Sequence, residues 1–368
     1  MSLGLYVHVP FCSTRCRYCD FYRVGANAEK QRAFLSALSG EIAQAADDPR
    51  PVTTVFLGGG TPSLLTGEEI GAILRALRAR YDFAADVEVS MEANPSDASQ
   101  GRLAAWHAAG VNRLSLGVQS FSGRELRLLG RRHDAGAAFE AFSAARQAGF
   151  SSISLDLMLA IPGQTEWSFH HTVETAIELE PDHLSLYLLE VHRETEFDGL
   201  MRLRPALFPG EEAQRRRYLW AAQRLAKAGF DHYEISNFAR TGHRSRHNLK
   251  YWHCEPVLGF GPAAHSFDGS RRYRNRPDLV GYLRDGPGRE EVPTGVEEER
   301  AFLGLRLAEG IEENALARAA GVSVEEIRGR ALRLAPFVSA SDRRLRLTPE
   351  GFVVSTLVIS RLLEGGTR

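Results

Sequence analysis

YVHVPFCSTRCRYCDFY, residues 6–22, carries three cysteines, Cys12, Cys16 and Cys19, spaced C-x3-C-x2-C directly after a β-branched run. Three thiolates on one tight loop leaving a strand can hold three corners of a [4Fe–4S] cube, because cysteine is the standard ligand of such clusters. The fourth iron then has no ligand from the loop. An open coordination position is what a catalytic metal centre keeps and a structural one lacks, as zinc sites illustrate. Two blander readings stand beside this one. A structural zinc would want a fourth protein ligand nearby, and a redox pair of Cys16 and Cys19 would leave Cys12 unexplained. Phe11 and Tyr18 flank the thiols with aromatic rings that would shield a cluster from water. Four cysteines in 368 residues, three of them clustered, read as metal-binding or catalytic in a reducing compartment rather than as a disulfide framework.

The run before this loop, Leu3–Val9, is the first of six strand-like runs. The others are Thr53–Leu57, Val87–Glu92, Arg113–Val118, Ser152–Leu159 and His183–Glu190. Amphipathic stretches fall between or after them at Ala28–Ala46, Gly67–Tyr81, Ala98–Ala109, Ala135–Ala148, Glu166–Leu179 and Glu211–Ala228, and Gly110, Gly149 and Gly229 read as C-terminal caps. Strands alternating with helices imply parallel strands joined by right-handed crossovers. Six repeats are two short of a closed eightfold barrel, which predicts an α/β fold with an incomplete (β/α)6 barrel; a doubly wound open sheet shares the same periodicity. The expected organisation is a barrel core over residues 1–230, a sheet extension over 231–295 and a small α+β domain over 296–368. Asp285–Glu291, DGPGREE, reads as a linker. The last domain reads as three short helices, a two-strand wing (Phe337–Ala340 and Arg344–Leu347) and a helix after Thr348-Pro349. That is a winged-helix-like pattern, yet residues 297–368 hold 11 acidic and 11 basic side chains, so no basic footprint supports nucleic-acid binding.

Composition narrows the classes further. With 45 Lys+Arg against 46 Asp+Glu, the formal net charge is −1, which argues against a coat for nucleic acid or anionic membrane. No apolar run approaches the ~20 residues of a spanning helix, and MSLGLYVHVP lacks the parts of a signal peptide; a cytoplasmic protein is expected. Arginine outnumbers lysine 42 to 3, a bias of composition rather than of function.

In an α/β barrel the working residues collect at the C-terminal strand ends. The second strand ends in FLGGGTPS, where Gly58, Gly59 and Gly60 allow backbone to approach a charged amino-acid group, or simply turn the chain. The third ends in SMEANP with Glu92, and the fourth in LGVQSF with Gln119, followed by Arg131 after a short helix. The fifth, SISLDLMLAIPGQT, carries Asp156 in an otherwise apolar run, where a charge is costly unless partnered or functional. An internal salt bridge is the bland alternative for Glu92 and Asp156.

The cysteine loop and these strand ends, in this order, resemble the radical S-adenosylmethionine (SAM) superfamily, and one branch of it in particular, the oxygen-independent coproporphyrinogen III oxidases and their relatives. The resemblance runs from Tyr6 to the RLTPEGFVVS segment. It implies a [4Fe–4S] cluster on Cys12, Cys16 and Cys19, and SAM contacts at Tyr6, Gly59, Gly60, Thr61, Glu92, Gln119, Arg131 and Asp156, with a main-chain contact at Tyr18. In that superfamily SAM binds the open iron, and a reduced cluster can cleave it to a 5′-deoxyadenosyl radical.

Two departures from the oxidases matter. Their pattern has a fourth cysteine where this chain has Phe21, and they carry an extension ahead of the first strand for which Tyr6 lies too near the start. HNLKYW, residues 247–252, matches instead the HNxxYW motif of the related HemW-type haem chaperone subgroup. On that resemblance His247 would ligate haem iron, Tyr251 and Trp252 would pack on the macrocycle, Asn248 would orient the imidazole, and Arg244, Arg246 and Lys250 would meet the propionates. The same residues could merely pack the extension onto the barrel. The implied function is a haem chaperone with haem as cargo and apo-haemoproteins as acceptors, compatible with membrane-protein contact and with a homodimer. The alternative is a radical SAM coproporphyrinogen III dehydrogenase of porphyrin biosynthesis. Cys254, two residues beyond the motif, reads as a buried apolar residue rather than as a further ligand.

Overall fold

The computed structural model describes residues 1–293 and 295–364; Thr294 of the expected extension and the last four residues of the expected C-terminal domain lie outside them. Six parallel strands form its centre: β1 (Leu3–Val9), β2 (Val52–Gly59), β3 (Phe83–Ala93), β4 (Arg113–Gln119), β5 (Ser152–Leu159) and β6 (His183–Leu188). They pair in that order. Leu3, Leu5, Val7 and Val9 of β1 are wholly buried, as expected of a parallel strand covered on both faces.

The helices are α1 (Ala28–Ala43), α2 (Gly67–Arg80), α3 (Gln100–Ala108), α4 (Gly123–Leu129), α5 (Ala135–Gln147), α6 (Glu166–Glu178), α7 (Glu196–Leu203) and α8 (Glu211–Lys227). Their starts follow local chemistry. Asn27 and Asp134 cap α1 and α5, and Thr66 with Glu69 closes a capping box on α2, each satisfying amides that the first turn leaves free. Gly110, Gly149 and Gly229 take positive φ just past α3, α5 and α8. Trp106 on α3 is fully buried and donates its indole N–H to the Leu65 carbonyl at 3.0 Å, tying the helix layer to the turn after β2.

The expected extension divides between both edges of the sheet. β7 (Asp231–Glu234) and β8 (Asn237–Ala239) add antiparallel beside β6. The chain then crosses through α9 (Arg246–Trp252) to the other edge, where β9 (Val257–Phe260) pairs parallel with β1. There β10 (His265–Phe267), β11 (Arg272–Arg274) and β12 (Glu290–Val292) follow antiparallel, with α10 (Leu279–Asp285) inserted before β12. The sheet order is β12-β11-β10-β9-β1-β2-β3-β4-β5-β6-β8-β7, an open twelve-stranded sheet rather than a closed barrel. Glu290 and Glu291 of the expected DGPGREE linker belong to β12.

The C-terminal part has α11 (Val296–Gly304), α12 (Glu313–Ala320) and α13 (Val324–Arg333). Its wing has three strands, not two: β13 (Ile311–Glu312), β14 (Val338–Ser341) and β15 (Arg344–Leu347), with β15 central. The final helix is broken at Val354 into α14 (Pro349–Val353) and α15 (Ser355–Leu363). This part docks on the core through a two-bond Arg215–Glu350 contact, at 2.6 and 2.8 Å, and through His232 against Phe352.

Candidate functional site

A cavity of about 860 Å³ opens at the C-terminal ends of the parallel strands, lined by the cysteine loop, the ends of β2 to β6, and Phe352–Leu357 from the C-terminal part. That is near the upper end of the size usual for ligand pockets, ~300–1,000 Å³. Among the described residues no helix is long and apolar enough to cross a membrane.

Cys12, Cys16 and Cys19 are free thiols on this wall. Phe11–Cys12 pairs parallel with Val24–Gly25, which closes the loop at its base. The Arg17 N–H donates to the Leu129 carbonyl at the end of α4, and the Phe197 N–H of α7 donates to the Arg17 carbonyl. Arg23 donates to the Cys19 and Phe21 carbonyls at 3.2 and 3.0 Å. Burial pushes the Cys12 and Cys19 thiols up, and the neighbouring sulfurs add to it. Thr61 Oγ1 donates to Cys12 Sγ at 3.3 Å and Arg131 Nη1 to Cys16 Sγ at 3.5 Å. Among the described residues no three or more His, Cys, Asp or Glu gather where one ion could sit; the three sulfurs line a wall instead. Three thiols pinned by main-chain bonds, helped by donors, and open on the cavity side fit a cluster held at three corners.

Beside them the end of β2 comes as near as backbone can. A Cβ on Gly60 would lie 2.7 Å from the Phe11 carbonyl, and Gly59, at φ +108, has the His8 ring 2.7 Å from where its Cβ would be. The Gly59 N–H donates to Glu92 Oε2 at 3.2 Å. Burial, then the Asp156 charge, push Glu92 up to about 8. Burial likewise raises Asp156, opposed by Ser185 and by Ser115, whose hydroxyl lies 2.9 Å from both carboxylate oxygens. Gln119 sits at φ +67, a left-handed conformation rare for such a residue, with its Oε1 buried and unpartnered; Arg131 Nε is unpartnered too. Two carboxylates short of positive charge, with an orphaned amide oxygen and guanidinium N–H, fit a ligand carrying a cation and a carboxylate on one small group. The amino-acid moiety and sulfonium of SAM have that character.

The structure therefore gathers Cys12, Cys16, Cys19, Tyr18, Gly59, Gly60, Thr61, Glu92, Gln119, Arg131 and Asp156 on one cavity. Tyr6 lies beneath it. Its hydroxyl meets His8 Nδ1 at 3.2 Å and its ring stacks on Phe56. Phe21, where the oxidase pattern has a cysteine, is on the cavity rim and 66% exposed.

The HNLKYW motif is split by its own helix. His247 and Tyr251 turn inward, whereas Asn248 and Trp252, one position on in each case, line the cavity. His247 is 0% exposed, with Nδ1 2.9 Å from Thr54 Oγ1 and Nε2 3.1 Å from the Tyr251 hydroxyl. Its ring stacks on Phe56, and burial, with the Lys250 charge, pushes it down to about 3. Both ring nitrogens are thus engaged away from the cavity, which is the packing role weighed for this motif. The expected propionate partners are committed as well: Arg244 to Asp231, Arg246 to Asp86, and Lys250, 4% exposed, to Glu255. Cys254 is buried and outside the cavity lining.

Sequence reasoning missed four groups. His192, half-exposed, is the one imidazole lining the cavity among the described residues, with Nδ1 3.3 Å from Asp20. Glu234, Asn237 and Arg306 form part of the wall near β7 and β8. Nothing in their neighbourhoods repeats or clusters, so no pattern in the sequence marks them.

Comparison with known proteins fits this geometry. The Radical SAM superfamily matches residues 6–176 and the HemN C-terminal domain residues 297–354. "Heme chaperone HemW" of Bacillus subtilis is 37% identical, aligned over 87% of this chain and 87% of its own. The HemW of Lactococcus lactis is 32% identical over 97% of this chain and 96% of its own. Among solved structures, the coproporphyrinogen III oxidase HemN from Escherichia coli, a radical SAM enzyme, superposes with a TM-score of 0.81. It is 25% identical, covering 98% of this chain and 90% of that one.

Proposed function

Because this chain belongs to the family of the heme chaperones HemW, on a radical SAM scaffold, we propose that it binds haem and hands it to apo-haemoproteins in the cytoplasm. The supporting observation is the 860 Å³ cavity with two unlike walls. One wall carries the thiols, glycines and carboxylates of a cluster and SAM site. The other is largely apolar, with Leu186, Leu188 and Leu189 from and beyond β6 and Phe352, Val353 and Leu357 from the C-terminal part. A flat apolar macrocycle suits the second wall, where aromatic and aliphatic side chains shed water on contact.

On the first wall Cys12, Cys16 and Cys19 would hold the cluster, and Gly59, Gly60, Thr61, Gln119, Arg131 and the Tyr18 main chain would position SAM. Glu92 and Asp156 would offer carboxyl groups to its ammonium and hydroxyl groups. When bound, cluster and SAM supply a one-electron centre beside a reducible sulfonium. Arg131 donates to Cys16 Sγ at 3.5 Å and to the Gly117 carbonyl at 2.6 Å, so it holds the loop against the strand ends.

Iron ligation was expected at His247. For that residue to serve, its bonds to Thr54 and Tyr251 must break and α9 must open. His192 needs no such change. Its Nδ1 faces Asp20 at 3.3 Å, a partner that orients an imidazole, and its Nε2 is 3.9 Å from Glu190 at the rim. We therefore assign the axial contact to His192 and a supporting role to His247.

The test is an anaerobic haem titration of reconstituted protein followed by absorbance. Wild type should saturate at a single haem per chain, and His192→Ala should shift the Soret band and weaken binding about tenfold or more. His247→Ala should lower thermal stability and leave the band in place. A band that moves with His247→Ala alone returns the ligand to the motif. No saturable binding, together with anaerobic conversion of coproporphyrinogen III, would make the chain an oxidase instead.

A further inference from the structure

Arg306 follows α11 where the C-terminal part meets the sheet edge by backbone. Its carbonyl accepts the Ile235 N–H at 3.0 Å, and Leu307 bridges to Glu234. The guanidinium is thereby fixed over the rings of Phe302 and Trp252, 4.8 and 5.7 Å from their centroids. Among the described residues it makes no hydrogen bond or ion pair, and its Nε is buried without a partner. Trp252 Nε1, Glu234 Oε1 and Asn237 Oδ1 are buried and unpartnered too. Glu234 is 0% and Asn237 3% exposed. All four residues line the cavity. Buried polar atoms are nearly always paired, so four orphans on one patch of wall mark a place built for a polar group that the chain does not supply.

The patch has a definite chemistry. Arg306 and Trp252 present N–H donors, and a guanidinium takes a carboxylate through two parallel bonds. Glu234, pushed up by burial to about 7, can keep a proton near neutrality and donate it to a carboxylate oxygen. An Asn amide presents N–H or C=O according to which way it is turned. Burial lowers the Arg306 guanidinium, and the nearby Glu190 and Glu234 carboxylates oppose this through their charge without an ion pair among the described residues. Arg244, Arg246 and Lys250 already have acidic partners, whereas Arg306, among the described residues, has no ion pair and keeps an unpartnered Nε.

We infer that Arg306, Trp252, Glu234 and Asn237 form a carboxylate subsite that holds one propionate of the haem cargo. The inference rests on the haem-carrier reading. It places the macrocycle's acidic edge by β7 and β8, at the far end of the sheet order from the β9 edge, and it gives the Trp252 of the motif a polar task besides stacking.

The test compares haem with its dimethyl ester, in which both carboxylates are capped, on the full reconstituted chain. Wild type should bind haem about 10- to 100-fold more tightly than the diester, the strength expected of a charge-assisted pair. Arg306→Gln should lose that factor for haem and leave diester affinity unchanged. Trp252→Phe, which keeps a ring beneath Arg306 and removes only the N–H, should lose up to about tenfold for haem alone. Equal loss for both ligands in Arg306→Gln, or wild type that does not distinguish them, overturns the subsite and leaves the carrier reading standing. Wild type that binds neither overturns the carrier reading itself. Should Arg306→Gln fail to fold, wild type and Trp252→Phe still decide the matter.

Discussion

Glu92 and Asp156 share the cavity floor with little positive charge between them, and the consequence is a stability that depends on pH in an unusual direction. Because the Glu92 carboxyl is pushed up to about 8 in the fold but ionises near 4.3 in an unfolded chain, the folded state binds the extra proton between those values. Stability is therefore full below the lower value and declines as pH rises through the window, by at most about 1.4 kcal/mol per pH unit. Glu92→Gln should abolish that decline. Its melting temperature should exceed wild type at pH 9 and match it near pH 4, by differential scanning fluorimetry without SAM; parallel profiles would show that Glu92 is already neutralised by something else. The contrast with His247 shows what single residues disclose in a sequence. Residue type was legible at both positions, but facing was not. Read as a helix, HNLKYW pairs 247 with 251 and 248 with 252 on separate faces, and only the fold says which face meets the cavity.

At the scale of elements, β1 and β5 begin and end where their β-branched runs do, and the six parallel strands and their helices were legible because each repeat is long and strongly patterned. The edges of the sheet were not. β7 to β12 are three or four residues each, too short for any period to register, and their pairing is set by neighbours far away in the chain. The wing's third strand, Ile311–Glu312, was missed for the same reason. Strand ends carry the site, and the tightest of them is testable. A methyl group on Gly60 would press into the Phe11 and Val9 carbonyls, at 2.7 and 2.9 Å, and would have to push the cysteine loop from the end of β2. Gly60→Ala should destabilise by about 1–3 kcal/mol and retain clearly less iron than wild type after anaerobic reconstitution. Unchanged iron content would mean that the loop is set from α4 and α7 alone.

In the whole molecule, the break at Val354 bends the last helix so that Phe352–Leu357 closes one side of the cavity. The Arg215–Glu350 pair that helps hold this wall is partly exposed, and such pairs are worth about 1 kcal/mol or less. Hydrogen exchange should report it: haem should slow amide exchange across Pro349–Leu363 by about tenfold or more, and SAM alone should not. Equal protection by SAM alone would assign this wall to the other ligand. The crossing of the chain from one sheet edge to the other has a further consequence, in time rather than in space. β1 gains its neighbour β9 only after roughly 245 further residues have been made, which at about 5–20 residues per second takes about 12–50 s. Throughout that interval the three thiols stand beside a sheet that lacks one edge. The thiol loop is thus complete in sequence long before the edge of the sheet behind it has been made.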